Sequence, residues 1–305
     1  MHSFGEEKMA PANGIELAYQ EMGEPEGEPL ILVMGLATQM LAWDEGFCGM
    51  LVDRGFRVVR FDNRDIGRST RITSAGVPSR IDMMAGRRAS APYFLRDMAT
   101  DTIGLMDHLG IESAHVVGAS MGGMIVQTLA IEHAERVRSM VSIMSTTGSR
   151  WTGLPSWKAM GVLLGRPPKG REAAVERAIK TFSVIGSPGY PLDQERLRDV
   201  AGRSYDRGHS AAGVLRQLHA ITASGDRTQA LHGVRVPTAV IHGKGDPLVR
   251  PAGGRATARA IPGARLKMID GMGHDLPRDL WPTFVEEIAG NAKRAGDVTA
   301  AKQPA

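Results

Sequence analysis

The sequence is poor in cysteine and in long hydrophobic runs, and each shortage excludes a class of protein. A single cysteine, Cys48, among 305 residues cannot form an intramolecular disulfide, which excludes a disulfide-stapled scaffold and is typical of a reducing compartment. No apolar run approaches the roughly 20 residues that a membrane-spanning helix needs. The opening MHSFGEEKMAPANG lacks the basic flank and apolar core of a secretory signal. We therefore expect a cytoplasmic protein without stable membrane insertion.

Aromatic residues are also scarce, at 5%, and the net charge of +4 is only mildly basic. A nucleic-acid surface needs clustered lysine and arginine, often with aromatic side chains on which bases stack. Here the basic residues alternate with acids, as in REAAVER. No nucleic-acid partner is expected. The composition, with 42% hydrophobic and 23% charged residues, is that of a globular chain with one large core.

Short runs rich in valine and isoleucine alternate with helix-length segments along most of the chain. Asn13-Gly14, followed by alternating apolar residues, predicts a hairpin turn. The later runs are PLILVMG, RVVRFD, AHVVG, SMVSIMS, TAVIHG and ARLKMID. Strands this apolar, separated by helices, predict an α/β fold whose mostly parallel sheet has helices on both faces.

Strand signals stop between residues 148 and 232, where a segment rich in proline and glycine leads into helical patterns such as REAAVERAIKTF. We interpret 148–232 as an inserted helical cap. The flanking segments 1–147 and 233–290 then form the core. The small, polar tail at 291–305 is predicted to be disordered.

The pattern G-x-S-x-G occurs once in a context that gives it chemical meaning. Gly118-Ala119-Ser120-Met121-Gly122 lies between the predicted strand AHVVG and an apolar helix. A strained turn from strand to helix exposes the serine and needs small residues two positions before and after it. The pattern predicts Ser120 as a nucleophile. A phosphate-binding glycine turn is the alternative, but the dinucleotide spacing, its later acid and a P-loop lysine are all missing.

A serine nucleophile needs a base, and histidine has a suitable pKa. Among nine histidines, His274 follows the last predicted strand, within GMGHD, where a loop can reach back over the strand ends. Asp246 follows the strand TAVIHG and is the predicted partner of that histidine. The resulting order is Ser, Asp, His. Rival acids are Asp62, Asp65, Asp270 and Asp275.

Two backbone N–H groups are predicted to form the oxyanion hole. One belongs to Met121, next after the nucleophile, and the other to Leu36, in the loop after PLILVMG. An apolar, substrate-binding wall is predicted from the cap, although each of its members could simply pack cap against core. Its members are Trp151, Trp157 and Met160, with Leu163 and Leu164.

The ordered set VMG, FDNRDIGRST, VVGASMGG, HGKGD and GMGHDLP resembles the α/β-hydrolase superfamily, and most of all the aclacinomycin methylesterase type of esterases, over roughly residues 10 to 290. The resemblance implies the α/β-hydrolase fold with an eight-stranded sheet and a helical cap, without metal or organic cofactor. It also implies ester hydrolysis through an acyl-enzyme, with Ser120, Asp246 and His274 as the triad. One departure is Leu36, where relatives usually have glycine.

Together these patterns predict a carboxylic ester hydrolase that acts on a small-molecule ester, including methyl esters of bulky apolar compounds. The same triad also supports thioester cleavage, acyl transfer, C–C bond hydrolysis and cofactor-free perhydrolysis. A non-catalytic ligand-binding module is the third alternative. Dehalogenase and epoxide hydrolase chemistry on this fold is disfavoured, because its aspartate nucleophile is replaced here by Ser120. The patterns do not indicate an oligomeric state.

Overall fold

The computed structural model describes residues 2–163, 165 and 168–300. One sheet runs through it, in the order β1-β2-β4-β3-β5-β6-β7-β8. Its strands are β1 (Lys8–Ala12), β2 (Ile15–Met22), β3 (Glu28–Val33), β4 (Phe56–Phe61), β5 (Ala114–Ala119), β6 (Val137–Ile143), β7 (Thr238–Gly243) and β8 (Arg265–Ile269). Strands β3 to β8 are parallel, and β1 and β2 are antiparallel to their neighbours. The predicted mostly parallel sheet of eight strands is confirmed.

The first hairpin forms where Asn13-Gly14 predicted it. Both residues have positive φ, 51° and 77°, which is the backbone that a two-residue type I′ turn requires. Ala12 and Ile15 pair directly across the turn. Asparagine and glycine tolerate this conformation better than other residues, so these two positions set the register of β1 on β2.

Helices cover both faces of the sheet. The α-helices of the described residues are α1 (Glu45–Val52), α2 (Arg80–Ala85), α3 (Leu95–His108), α4 (Met121–Glu132), α5 (Trp157–Leu163), α6 (Arg171–Ile185), α7 (Gln194–Arg207), α8 (Ala211–Ser224), α9 (Thr228–Leu231), α10 (Ala252–Ala260) and α11 (Trp281–Ala300). Strand β3 shows how the core is divided. Ile31 and Val33 pack in the cluster with α3 and α4, whereas Leu30 and Leu32 pack in the cluster with α1 and α11. Both faces of β3 are therefore apolar, as the sequence predicted for its central strands. No helix of the described part is both long and apolar enough to cross a bilayer.

Helices α5 to α9 fill the interval between β6 and β7. Residues 62–69, which follow β4, form a turn that we call the β4 turn. Two of these helices each supply an arginine that pairs with a carboxylate of this turn. Arg207 at the end of α7 lies 2.8 Å from Asp62, and Arg216 of α8 lies 2.6 Å from Asp65. Burial raises the pKa of Asp65, but hydrogen bonds from Arg216 and Tyr93 outweigh it and lower the pKa, so Asp65 is ionised at neutral pH. Both helices are thus fixed to one short segment of the core.

The prediction of a disordered tail from residue 291 is wrong for most of its length. Helix α11 continues to Ala300, and residues 301–305 lie outside the described part. The Asn291 side chain is buried and donates to the carbonyl oxygens of Met140 and Pro237. Arg294 donates to those of Thr238 and Gly263. These contacts dock the helix against the sheet, and a reading of the tail as small and polar could not reveal them.

Candidate active site

Ser120 lies in the sharp turn between β5 and α4. Its backbone has φ 56° and ψ −118°, a region that a residue with a side chain rarely adopts. The flanking glycines explain how the turn fits. A Cβ atom on Gly118 would lie 2.2 Å from the Gly122 carbonyl oxygen, and one on Gly122 would lie 2.0 Å from that of Val33. The two glycines of G-x-S-x-G thus allow three backbone segments to approach one another closely.

We expect Gly122→Ala to destabilise the fold strongly. The added methyl group would overlap a backbone oxygen that belongs to a central strand, and overpacking typically costs about 1–3 kcal/mol, or more where backbone cannot move. Thermal and urea unfolding measure the change. The matched control is Gly290→Ala, because that glycine lies within α11 with open space around it. Equal stability of the two variants would contradict this account of the turn.

His274 reaches Ser120 from the loop after β8. Its Nε2 lies 3.0 Å from the Ser120 Oγ, and its Nδ1 lies 2.7 Å from Asp246 Oδ2. Since a carboxylate can only accept, the proton of the neutral ring sits on Nδ1, which leaves Nε2 free to accept the serine proton. The His274 backbone N–H also donates to the Ile185 carbonyl oxygen at 2.7 Å. The loop is therefore held to the end of α6.

Asp246 is fixed by bonds to both of its carboxylate oxygens. Oδ1 accepts from the backbone N–H groups of Leu248 and Val249 at 2.8 and 2.9 Å, while Oδ2 accepts from His274. The side chain is buried beside His242, whose Nε2 donates to the Val249 carbonyl oxygen. Burial lowers the pKa of His242, so that ring stays neutral. The carboxylate consequently has a buried, hydrogen-bonded site that faces the imidazole.

The rival acids are all engaged elsewhere. Asp62 and Asp65 pair with the arginines of α7 and α8. Asp270 is exposed and pairs with Lys244, and Asp275 accepts from the Ser187 hydroxyl. Of the five candidate carboxylates, Asp246 is the one with a hydrogen bond to His274 in the described residues.

The loop after β3 passes directly beside the nucleophile. A Cβ on Gly35 would lie 3.0 Å from the Ser120 Cβ, so Leu36 begins within reach of the same site. Met121 is the first residue of α4, where the N–H has no acceptor within the helix. Leu36 and Met121 thus flank Ser120 from two segments, and their role as oxyanion donors remains a prediction.

The predicted aromatic wall does not face a buried pocket. Trp151 and Trp157 are 91% and 93% exposed. Helix α5 packs through the small side chain of Ala159, which is buried, and Trp157 lies two residues away on the opposite side of the helix. Met160 is half-buried. Leu164 and the side chain of Leu163 lie outside the described residues.

Three residues that lie around the site were not singled out in the motif analysis. His242 lies against Asp246, Asn63 donates to the Met34 carbonyl oxygen, and Gln217 accepts from the Ala37 N–H. Asn63 and His242 fall within the quoted segments FDNRDIGRST and HGKGD, so these motifs could have drawn attention to them. Gln217 stands in an ordinary helical pattern, far from any motif.

Comparison with known proteins identifies the fold family and related esterases. A family model described as the alpha/beta hydrolase fold matches residues 28–277. The rhodomycin D methylesterase of Streptomyces peucetius is 26% identical, over 94% of this chain and 98% of its own length. The 3-oxoadipate enol-lactonase 2 of Acinetobacter baylyi is 27% identical, over 85% and 86%. These names agree with the predicted class, carboxylic ester hydrolase, and the first agrees with the resemblance to the aclacinomycin methylesterase type.

Solved structures agree on the fold. The enol-lactonase from Burkholderia xenovorans superposes with a TM-score of 0.68 at 25% identity, over 94% of this chain and 100% of that one. The 2-hydroxy-6-oxo-6-phenylhexa-2,4-dienoate hydrolase from a Rhodococcus species superposes with a TM-score of 0.74 at 19% identity, over 94% and 99%. The family match over most of the chain, the sheet order and these neighbours lead to one conclusion: the chain belongs to the α/β-hydrolase fold family.

Proposed function

We propose that this chain is a serine hydrolase that cleaves small-molecule carboxylic esters through an acyl-enzyme on Ser120. The observation that carries the proposal is the continuous hydrogen-bonded chain from the Ser120 hydroxyl through His274 to the buried Asp246. This arrangement makes a weak nucleophile reactive, because it supplies a base in the right tautomer and a charge that stabilises the resulting imidazolium.

In the first half-reaction, His274 Nε2 takes the Ser120 proton as Oγ attacks the ester carbonyl carbon. The carbonyl oxygen becomes an oxyanion, which the N–H groups of Met121 and Leu36 stabilise. Such donors are each worth about 2.7–4 kcal/mol in the transition state. When the tetrahedral intermediate collapses, the C–O bond breaks and His274 gives its proton to the departing alcohol.

In the second half-reaction, a water molecule takes the place of the alcohol. His274 accepts a proton from that water as its oxygen attacks the acyl carbon. Collapse of the second intermediate returns the proton to Ser120 and releases the carboxylic acid. Asp246 accepts the hydrogen bond from His274 Nδ1 throughout and keeps the imidazole in place.

The relatives favour an ester or lactone substrate. A methylesterase and an enol-lactonase both cleave a bond between an acyl carbon and oxygen, and both align over most of this chain. A methyl ester of a bulky compound is therefore the first substrate class that we propose.

The test is a fluorophosphonate probe, which modifies serine nucleophiles that are activated by a base. We expect one adduct by intact mass, located at Ser120 by peptide mapping. Hydrolysis of p-nitrophenyl acetate and of a longer-chain ester should fall in proportion to labelling. An adduct at another residue, or full labelling with undiminished hydrolysis, would contradict the assignment.

A further inference from the structure

The loop that carries Leu36 is held in an unfavourable conformation. Thr38 N–H bonds to the Gly35 carbonyl oxygen at 3.4 Å, which closes a four-residue turn. Ala37, its third residue, has φ 61°. A turn with positive φ at its third residue but not at its second, Leu36, is of type II, which normally has glycine at the third position because a Cβ is strained there. Something outside the turn must therefore hold Ala37 in place.

Two side chains hold the loop from opposite ends. Asn63 Nδ2 donates to the Met34 carbonyl oxygen at 2.9 Å. Gln217 Oε1 accepts from the Ala37 N–H at 3.1 Å, and its Nε2 donates to the Arg64 carbonyl oxygen at 2.9 Å. The peptide group that contains the Leu36 N–H lies between the two anchored peptide groups. Its direction is thus set by its neighbours.

Gln217 comes from α8, far from Ala37 in sequence, and its side chain is fully buried. Its amide orientation is not arbitrary, because the Ala37 N–H can only donate and the Arg64 carbonyl can only accept. The next residue toward the N-terminus, Arg216, forms the buried pair with Asp65. Helix α8 therefore presents Gln217 to the loop from a fixed position.

We propose that Gln217 is a positioning residue for the oxyanion hole. By binding the Ala37 N–H it holds the 36–37 peptide in its type II orientation, and so keeps the Leu36 N–H directed at the developing oxyanion. The inference rests on the proposed serine hydrolase function. The proposal implies that kcat depends on a side chain of the helical region between β6 and β7.

The test begins with Gln217→Met, which keeps the length of the side chain and removes both hydrogen bonds. We expect kcat to fall about 10- to 100-fold with little change in KM, because a misdirected donor costs less than the 100- to 1000-fold loss of one that is removed. Amide exchange in residues 34–40, followed by mass spectrometry, should become faster. The matched control is Gln127→Met, since Gln127 is also buried and bonds to Ser142 and Arg227. It should lose stability and keep kcat.

Ala37→Gly separates positioning from simple packing. Glycine favours the type II turn without help, so we expect the Gln217→Met loss in kcat to shrink several-fold in the Ala37→Gly background. The proposal is overturned if Gln217→Met lowers kcat by the same factor with and without Ala37→Gly. It is also overturned if amide exchange in residues 34–40 is unchanged in Gln217→Met. If the wild-type protein neither hydrolyses esters nor reacts with the fluorophosphonate, the proposed function fails, and the exchange comparison still decides whether Gln217 holds the loop.

Discussion

Replacing Ser120 with alanine is expected to lower kcat for ester hydrolysis by about a million-fold, the scale seen when a triad nucleophile is removed. The reason is that Ser120 Oγ is the atom that forms the acyl bond, so its loss leaves only binding and the oxyanion donors. The fluorophosphonate adduct should disappear in the same variant. The protein should remain folded, because the substitution removes one hydroxyl whose bond is to His274.

The chain offers a matched control at the other end of the sheet. Ser139 Oγ lies 2.8 Å from His115 Nδ1, and His115 Nε2 lies 3.3 Å from Glu28. These are the same three kinds of group, but Ser139 sits within the strand β6 rather than in an exposed turn, and both it and His115 are buried. We expect Ser139→Ala to hydrolyse esters at the wild-type rate. If activity survived in Ser120→Ala and was lost in Ser139→Ala, the nucleophile would have to be reassigned to Ser139.

Asp246→Asn is expected to lower kcat by about 10,000-fold, as the equivalent change does in a serine protease triad. An asparagine amide can donate to His274 Nδ1, which would leave the ring proton on Nε2, facing Ser120. The ring could then no longer accept the serine proton. Steady-state kinetics with p-nitrophenyl acetate measure the loss, and circular dichroism checks the fold.

Asp270→Asn is the companion variant for that experiment. Asp270 follows β8 only four residues before His274, yet its side chain is 83% exposed and pairs with Lys244. An exposed pair of this kind contributes little to stability. We therefore expect near wild-type kcat. If Asp270→Asn were the more damaging change, the orienting carboxylate would have to be reassigned.

Much of the core could be predicted because its signals are local. Valine-rich runs reveal strands that are buried on both faces, and Asn13-Gly14 determines a turn within two residues. The juxtaposition of Ser120, Asp246 and His274 was predictable for a different reason. Each follows a parallel strand, and the carboxyl ends of parallel strands meet at one edge of the sheet.

The other features of the fold and site depend on long-range contacts that local sequence patterns do not indicate. The exposed position of Trp157 follows from which side of α5 is buried, and a seven-residue helix carries too little periodicity to show that. The docking of α11 beyond residue 290 depends on Asn291 meeting carbonyl groups of the sheet. Gln217 accepts a hydrogen bond from the backbone of Ala37, which lies 180 positions earlier in the chain.

The β4 turn also limits how this chain can be re-engineered. Asp62 and Asp65 are buried in the core segment, but Arg207 and Arg216, which pair with them, belong to α7 and α8. A chimera that received α7 and α8 from a relative without these two arginines would leave two buried carboxylates without their partners, and an uncompensated buried charge costs about 3–5 kcal/mol. Residues 62–69 and helices α7 and α8 therefore have to be exchanged together, because each part supplies one half of both buried ion pairs.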